Sequence, residues 1–177
     1  MAFHHVAITT KDLDRTHRFY TEAMGFDLVK VEAQPTAAGW ARHLFYDTGN
    51  GEMLAVWDIN DDMLQEYKTD ISTGLGLPPW ANHIAFNSPD LDDLDMRLKR
   101  WLDNGLDAVR IDHGWCVSIY ANDPSGTMVE FCCTTRVFDE NDHRIAIERA
   151  LAESPAIDRT PPNTDFCLAA EYAVSAP

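Results

Sequence analysis

The sequence predicts an α+β fold made of two copies of one βαβββ module followed by a C-terminal helical tail. Residues 4–20 (HHVAITTKDLDRTHRFY) align with residues 82–98 (NHIAFNSPDLDDLDMRL), and histidine, alanine and Asp-Leu-Asp fall in register. Residues 45–57 (FYDTGNGEMLAVW) align with residues 119–132 (IYANDPSGTMVEFC) if one residue is inserted before the glycine. Because the two halves share both their beginning and their end, we interpret the chain as a duplicated module of roughly 55 residues.

The first module begins with a strand and a helix. Val6 and Ile8 alternate with more polar neighbours, as in a strand with one buried face. Asp12 or Asp14 can cap the helix that follows, and Gly25 is placed to end it. The pattern therefore predicts strand and then helix over the first 25 residues.

The second module repeats these elements with a clearer helix. Its apolar residues recur at helical spacing and Gly105 follows them as a stop: Leu91, Leu94, Leu98, Trp101 and Leu102. Three apparent strands follow the helix in each copy, and the last two are joined by a turn, TGNG in one copy and NDPSG in the other. Each module therefore reads as strand, helix, strand, strand, strand.

We predict a single domain over residues 1–177. Module one occupies 1–57 and module two 80–136, and the linker 58–79 between them has the composition of an acidic short helix followed by a Gly/Pro segment. The tail, 137–177, contains a run that can form an amphipathic helix before a proline. We expect the tail to pack on the body or on a partner subunit.

Composition and charge exclude several classes of partner. The formal net charge is −15, from 14 Lys+Arg against 29 Asp+Glu, which disfavours nucleic acid and anionic membranes. No apolar run approaches the eighteen or so residues that would cross a bilayer. The start lacks a secretory signal pattern and the four cysteines show no CxxC spacing, so we expect a cytoplasmic protein without a disulfide framework. A small molecule is the partner that this chain accommodates most easily.

Three side chains that can bind a metal ion lie on the strand faces turned away from the helices. Side chains alternate across a strand, so His5 lies opposite the apolar pair of its strand, and His83 does the same in the second copy. Glu130 stands between two apolar residues of the last strand and therefore also faces away from the core. Two imidazoles and one carboxylate suit Fe(II), with Mn(II), Ni(II) or Zn(II) possible. We therefore predict a metal site at His5, His83 and Glu130.

The other histidines are predicted to lie outside this site. His4 shares the parity of the apolar pair of the first strand, and His17 and His143 lie on predicted helices with solvated surfaces. His43 has the opposite parity to Tyr46, which the alignment makes the counterpart of Tyr120. We therefore expect His43 to face the helix.

These features together resemble the vicinal oxygen chelate superfamily of glyoxalases, fosfomycin and bleomycin resistance proteins and extradiol dioxygenases. The resemblance covers about residues 3–135 and implies that paired βαβββ modules form a cupped sheet around the metal. It implies the ligands His5, His83 and Glu130. Glyoxalase I uses a fourth ligand where this chain has Ala55, and a methyl group cannot bind a metal.

A longer motif resembles the signature of type I extradiol ring-cleavage dioxygenases. Residues 111–130, IDHGWCVSIYANDPSGTMVE, satisfy each of its positions from His113 to the ligand glutamate. The resemblance implies that His113 and Tyr120 bond the substrate oxygens and manage protons during catalysis. The chain departs from many such enzymes at residues 51–57, GEMLAVW, where a further histidine is absent.

The resemblance therefore implies an Fe(II) enzyme that cleaves a catechol-type aromatic diol with O2, acting as a homo-oligomer, most simply a dimer. Two alternatives stay open: a metal-dependent glyoxalase-like isomerase or thiol transferase, and a non-catalytic resistance protein that binds an aromatic drug. The sequence also leaves open whether the two modules pair within one chain or between two chains.

Overall fold

Each half of the chain folds as strand, helix, strand, strand, strand, which confirms the predicted α+β modules. The computed structural model describes residues 3–64, 66–157 and 159–175. Module one contains β1 (His5–Thr10), α1 (Leu13–Arg18), β2 (Asp27–Pro35), β3 (Gly39–Gly49) and β4 (Glu52–Asp61). Module two contains β5 (His83–Asn87), α2 (Leu91–Asp103), β6 (Ala108–Asp112), β7 (Cys116–Asn122) and β8 (Met128–Thr134). The tail contains α3 (Glu140–Leu151), β9 (Asn163–Cys167) and α4 (Ala169–Ser175).

The strands form two mixed sheets, one for each module. Sheet A has the order β1-β4-β3-β2, and sheet B has the order β5-β8-β7-β6-β9. The first strand of each module runs parallel to the last one, while the remaining neighbours are antiparallel. The tail strand β9 adds a fifth strand to sheet B, although the sequence predicted only helical structure in the tail.

The two module helices begin and end where the sequence predicts. The carboxylates of Asp12 and Asp90 each accept a hydrogen bond from the backbone N–H three residues later, at 3.1 and 2.8 Å. α1 continues as a π-helical turn, Phe19–Ala23, before the chain turns. Gly25 and Gly105 then take positive φ angles of 76° and 75°, a conformation in which a side chain would be strained.

One hydrophobic core joins the helix-facing sides of both sheets. Phe26, which follows the first helix, lies 4.9 Å from Phe86 and 6.2 Å from Phe131 between ring centroids, and both partners belong to sheet B. The fully buried side chains of this core come from both modules: Tyr20, Tyr46, Val56, Leu94, Trp101, Ile119 and Val129. Since one side of each sheet is used for this packing, the His5 side of sheet A and the Glu130 side of sheet B face away from the core.

The described part of the linker does not contain the predicted short helix. β4 continues to Asp61, and the described part of residues 62–79 has one 3₁₀ turn, Thr73–Leu75. The Asp70 carboxylate accepts hydrogen bonds from the backbone N–H groups of Ser72 and Thr73, both at 2.6 Å. Such bonds offer the backbone an alternative to helical pairing, so the acidic composition of this segment favours a turn.

The predicted tail helix is present as α3, and it lies on the surface. Asp139 and Asp142 form a reciprocal capping box at its start. None of its described side chains is buried, and the tail packs on the body instead through β9, which pairs with β6, and through α4, which contacts α2. No helix among residues 3–64, 66–157 and 159–175 combines the length and the hydropathy needed to cross a membrane.

A buried hydrogen bond between the modules gives a stability prediction. The Tyr20 hydroxyl donates to the Asp123 carboxylate at 2.9 Å, and the same carboxylate accepts from two backbone N–H groups of its turn. Burial raises the pKa of both groups. We expect Tyr20→Phe to lower the free energy of unfolding by about 1–3 kcal/mol, because a buried acceptor loses its donor. Urea unfolding would measure this loss. Tyr46→Phe is the control, since its hydroxyl contacts the half-buried His17 and not a buried carboxylate among the described residues, and equal losses in both variants would contradict the prediction.

Candidate metal centre

Strand pairing places the two modules in a slightly different register from the sequence alignment. In sheet A, Phe45 pairs with Ala55, and in sheet B, Tyr120 pairs with Glu130. Phe45 and Tyr120 are 75 positions apart in the sequence, and so are Ala55 and Glu130. Because the offset is the same on both sides of the turn, no residue is inserted before the turn glycine. Phe45, and not Tyr46, is therefore the counterpart of Tyr120.

The prediction that His43 faces the helix is wrong for this reason. Tyr46 points into the core, where its hydroxyl lies 3.1 Å from Nδ1 of His17, which is half-buried and not solvated as predicted. His43 has the opposite parity and stands on the His5 side of sheet A. Its ring stacks on Trp57 at 3.8 Å and lies 6.1 Å from the ring of His5. The turn between β3 and β4 decides this parity, and its irregular pairing was not visible in the sequence.

Two of the three predicted metal ligands are in contact. His83 Nε2 lies 2.9 Å from Glu130 Oε2. The other ring nitrogen of His83, Nδ1, lies 3.0 Å from the backbone carbonyl oxygen of Trp80. Glu130 is 5% exposed, while the His83 side chain is 34% exposed and so remains open to solvent on one side. The pair sits at the end of sheet B where β5 and β8 run parallel.

This geometry fits two neighbouring ligands of one metal ion. Ligand atoms about 2.1 Å from a metal and at right angles to each other stand about 3.0 Å apart. A histidine that binds a metal through one nitrogen usually donates its other N–H to a carbonyl or carboxylate, which fixes the tautomer. The Trp80 carbonyl is in position to do this for His83, leaving the Nε2 lone pair directed toward Glu130. No pattern in the sequence indicated a backbone carbonyl in this role.

Tyr120 extends the cluster along the same face. It pairs with Glu130 across β7 and β8, and its ring lies 6.2 Å from that of His83. Burial raises the pKa of the Tyr120 hydroxyl, and the negative charge of Glu130 acts in the same direction. The phenol is therefore protonated at neutral pH. Its oxygen lies 3.1 Å from His113 Nε2, so Tyr120 can donate a hydrogen bond to a neutral His113.

His5, the third predicted ligand, does not complete a three-ligand group with His83 and Glu130 among the described residues. Its Nδ1 is 2.8 Å from Nδ1 of His4, and its ring packs beside His43 and Phe45 on sheet A. Within the described residues, no three His, Cys, Asp or Glu side chains lie close enough together to hold a metal ion. One chain therefore brings together His83, Glu130, Tyr120 and His113, but not His5.

Two thiols share the face of sheet B with the cluster. Cys116 and Cys132 have the parity of Tyr120 and Glu130 in β7 and β8. Both are free thiols. Burial is the main cause that raises the pKa of the Cys116 thiol to about 12, and the neighbouring Cys132 is the second. A thiol that stays protonated is a weak ligand, because metals bind the thiolate.

Comparison with known proteins agrees with this fold. The family model of the Glyoxalase/Bleomycin resistance protein/Dioxygenase superfamily matches residues 2–131. The chain belongs to this superfamily. Members of the superfamily typically bind a divalent metal. No curated protein matches the sequence significantly.

Several solved structures resemble the chain at low sequence identity. A glyoxylase/bleomycin resistance protein/dioxygenase domain from Frankia sp. EAN1pec has a TM-score of 0.58 at 17% identity, covering 76% of this chain and 98% of that one. A lactoylglutathione lyase from Agrobacterium tumefaciens has a TM-score of 0.52 at 18% identity, with coverages of 75% and 92%. An antibiotic-binding protein from Streptomyces sp. CB03234 has a TM-score of 0.52 at 20% identity, with coverages of 76% and 97%. These likenesses show the fold.

Proposed function

We propose that the chain is an Fe(II)-dependent extradiol dioxygenase that cleaves a catechol-type aromatic diol with O2. The observation that carries the proposal is the continuous set of contacts on one face of sheet B. It runs from the Trp80 carbonyl through His83 and Glu130 to Tyr120 and His113. At one end of this set, His83 and Glu130 are side chains that can bind a metal. At the other end, Tyr120 and His113 are side chains that can donate or accept a proton, and we call this the proton-handling end.

The residues at the first end are suited to holding the metal. His83 and Glu130 supply one imidazole nitrogen and one carboxylate oxygen, which are two of the three donors of a facial site of two histidines and one carboxylate. Mn(II), Ni(II) and Zn(II) also accept these donors. When bound there, Fe(II) would hold both diol oxygens and O2 next to each other and stabilise the charge that develops during ring cleavage.

Tyr120 and His113 are suited to positioning the substrate and moving its proton. A diol must lose a proton when it binds as a chelate, and a neutral imidazole within reach can accept it. Because the phenol of Tyr120 is protonated, it can donate a hydrogen bond to a substrate oxygen beside the ligands. His113 is exposed, so it can exchange a proton with solvent.

We further propose that a second copy of the chain supplies His5. Among the described residues, β1 and β5 each pair with a strand on one edge only, and the His5 side of sheet A and the Glu130 side of sheet B both face away from the core. A symmetric dimer could set β1 of one copy beside β5 of the other. The two-fold symmetry would then bring the His5 side of each copy next to the Glu130 side of its partner, at two equivalent places. Each of its two sites would then hold His5 from one copy and His83 and Glu130 from the other.

Anaerobic reconstitution with Fe(II), followed by oxygen uptake on a panel of catechols, tests the proposed activity. We expect uptake with at least one catechol and a yellow ring-cleavage product. Metal analysis of protein purified without added metal separates the alternatives, because iron supports a dioxygenase, whereas nickel or zinc without oxygen uptake supports an isomerase or transferase. Ligand binding that survives His83→Ala with no metal present would support a drug-binding protein instead.

Substitution of Tyr120 tests the proton-handling end of the site. We expect Tyr120→Phe to lower kcat by roughly 10²-fold with little change in iron content, since the lost hydroxyl is near the ligands but is not one of them. Stopped-flow measurement of ring cleavage and an iron assay on the same preparation would show this. The control is Phe138→Leu, which replaces an aromatic residue that follows β8 in the chain. A Tyr120→Phe variant with unchanged kcat would remove Tyr120 from the mechanism.

A further inference from the structure

The tail strand β9 extends the face of sheet B that carries the candidate metal ligands. β9 pairs with β6, and in this pairing Phe166 stands opposite Val109. Val109 in turn stands opposite Tyr120, and Tyr120 opposite Glu130. Paired residues of adjacent strands point to the same side of a sheet, so these four side chains form one row.

The opposite face of β9 is occupied by different residues. Cys167 packs against the hydrophobic core beside Ala108, and Asp165 pairs with Arg110, whose guanidinium is bonded to Asp95 of α2. This alternation fixes the orientation of Phe166 independently of its own contacts. The Phe166 ring therefore points away from the helices, and the residue is 74% exposed.

A second observation places the tail beside the proton-handling end of the site. The segment just before β9 and the loop before β7 together line an open cavity of about 550 Å³. Its lining contains Asp112, His113 and Gly114 from the loop and residues 160–163 from the tail. Since His113 contacts Tyr120, this cavity lies next to the cluster, and its lining includes Asn163, the first residue of β9.

The spacing of the row is compatible with one elongated ligand. Three strand spacings separate Glu130 from Phe166, which is about 14 Å along the sheet. A catechol whose two oxygens are held near Glu130 and which carries a second ring spans much of this distance, and the Phe166 side chain itself reaches several ångströms toward it. An unsubstituted catechol is too short to reach β9.

We propose that Phe166 of β9 is a specificity-determining residue that contacts an apolar substituent of the substrate beyond its metal-binding diol. This inference rests on the proposed function, since it takes the diol to be held at His83 and Glu130. The family match ends at residue 131, so β9 lies outside the part of the chain that the superfamily model describes. The tail thus adds a wall to the substrate site and selects aryl-substituted catechols over catechol.

The test compares wild type with Phe166→Ala on catechol, 3-phenylcatechol and 4-phenylcatechol. Leu151→Ala, an exposed apolar residue at the end of α3, is the matched control. We expect Phe166→Ala to raise KM for at least one phenylcatechol roughly tenfold and to leave kcat, and both constants for catechol, nearly unchanged. Phe166→Leu should restore much of the affinity, because it keeps an apolar side chain at the same position.

Equilibrium binding separates this inference from the proposed activity. Calorimetric titration of the Zn(II)-loaded protein with the same three compounds under anaerobic conditions needs no turnover. If no catechol is oxidised but a phenylcatechol binds more weakly to Phe166→Ala than to wild type, the dioxygenase proposal fails and the role of Phe166 stands. Equal binding of phenylcatechol by both proteins, or no binding at all, overturns the inference.

Discussion

Glu130→Ala is expected to abolish metal-dependent activity and to weaken metal binding by at least roughly 10²-fold. Glu130 is the only carboxylate in contact with His83 among the described residues, and its oxygen lies 2.9 Å from the imidazole nitrogen. Replacing groups that merely support metal ligands already costs 10–100-fold in affinity, so removing a ligand should cost more. Competition with a chromophoric chelator would measure the affinity, and oxygen uptake would measure the activity.

The corresponding position in module one is occupied by alanine, so the predicted loss can be assigned to Glu130. Ala55 has the same place in sheet A, is fully buried and carries no ligand atom in its side chain, so sheet A has no carboxylate at the position that matches Glu130. Glu171→Gln, on α4, serves as a control for the loss of one negative charge. A Glu130→Ala protein that retains wild-type metal content would show that the site is elsewhere.

Mixing two inactive variants is expected to restore about a quarter of wild-type activity. A His5→Ala homodimer and a Glu130→Ala homodimer each lack one ligand in both sites if each site is shared between copies. After co-refolding at equal amounts, about half of the dimers contain one copy of each variant, and one of their two sites holds all three native ligands. The restored activity follows from the symmetry of a two-fold interface.

The same experiment distinguishes the two ways in which the modules can pair. If His5 and Glu130 of one chain formed a site together, every site in the mixture would lack one ligand and no activity would return. Sedimentation of each variant before mixing establishes that both form dimers. Activity of the mixture no higher than that of the separate variants would therefore contradict a site shared between copies.

Most of the secondary structure and one half of the site could be predicted because both follow from local patterns. The helix cap at Asp12 and the stops at Gly25 and Gly105 depend on residues within one or two turns of each other. The contact between His83 and Glu130 follows from two adjacent parallel strands whose side chains alternate.

Predictions that depended on pairing between distant segments were less successful. The orientation of His43 was wrong because the alignment placed an insertion in the turn between β3 and β4, and one residue of register reverses the face of every side chain in a strand. The strand β9 was missed because a five-residue segment gains its hydrogen bonds only from β6, which lies about fifty positions earlier in the sequence.

The sequence by itself determined that two copies of one module exist, that His5, His83 and Glu130 all lie on the strand faces opposite the helices, and that Ala55 leaves one carboxylate where two were possible. Alternation along a strand is a property of the local backbone, so an internal repeat is sufficient to establish it. Only the tertiary structure decided which of these faces meet. The helix-facing sides of both sheets are buried in one core, which turns the His5 face and the Glu130 face outward and leaves His5 apart from the pair within one chain. Burial of apolar surface between distant segments made that choice, and no local pattern encodes it.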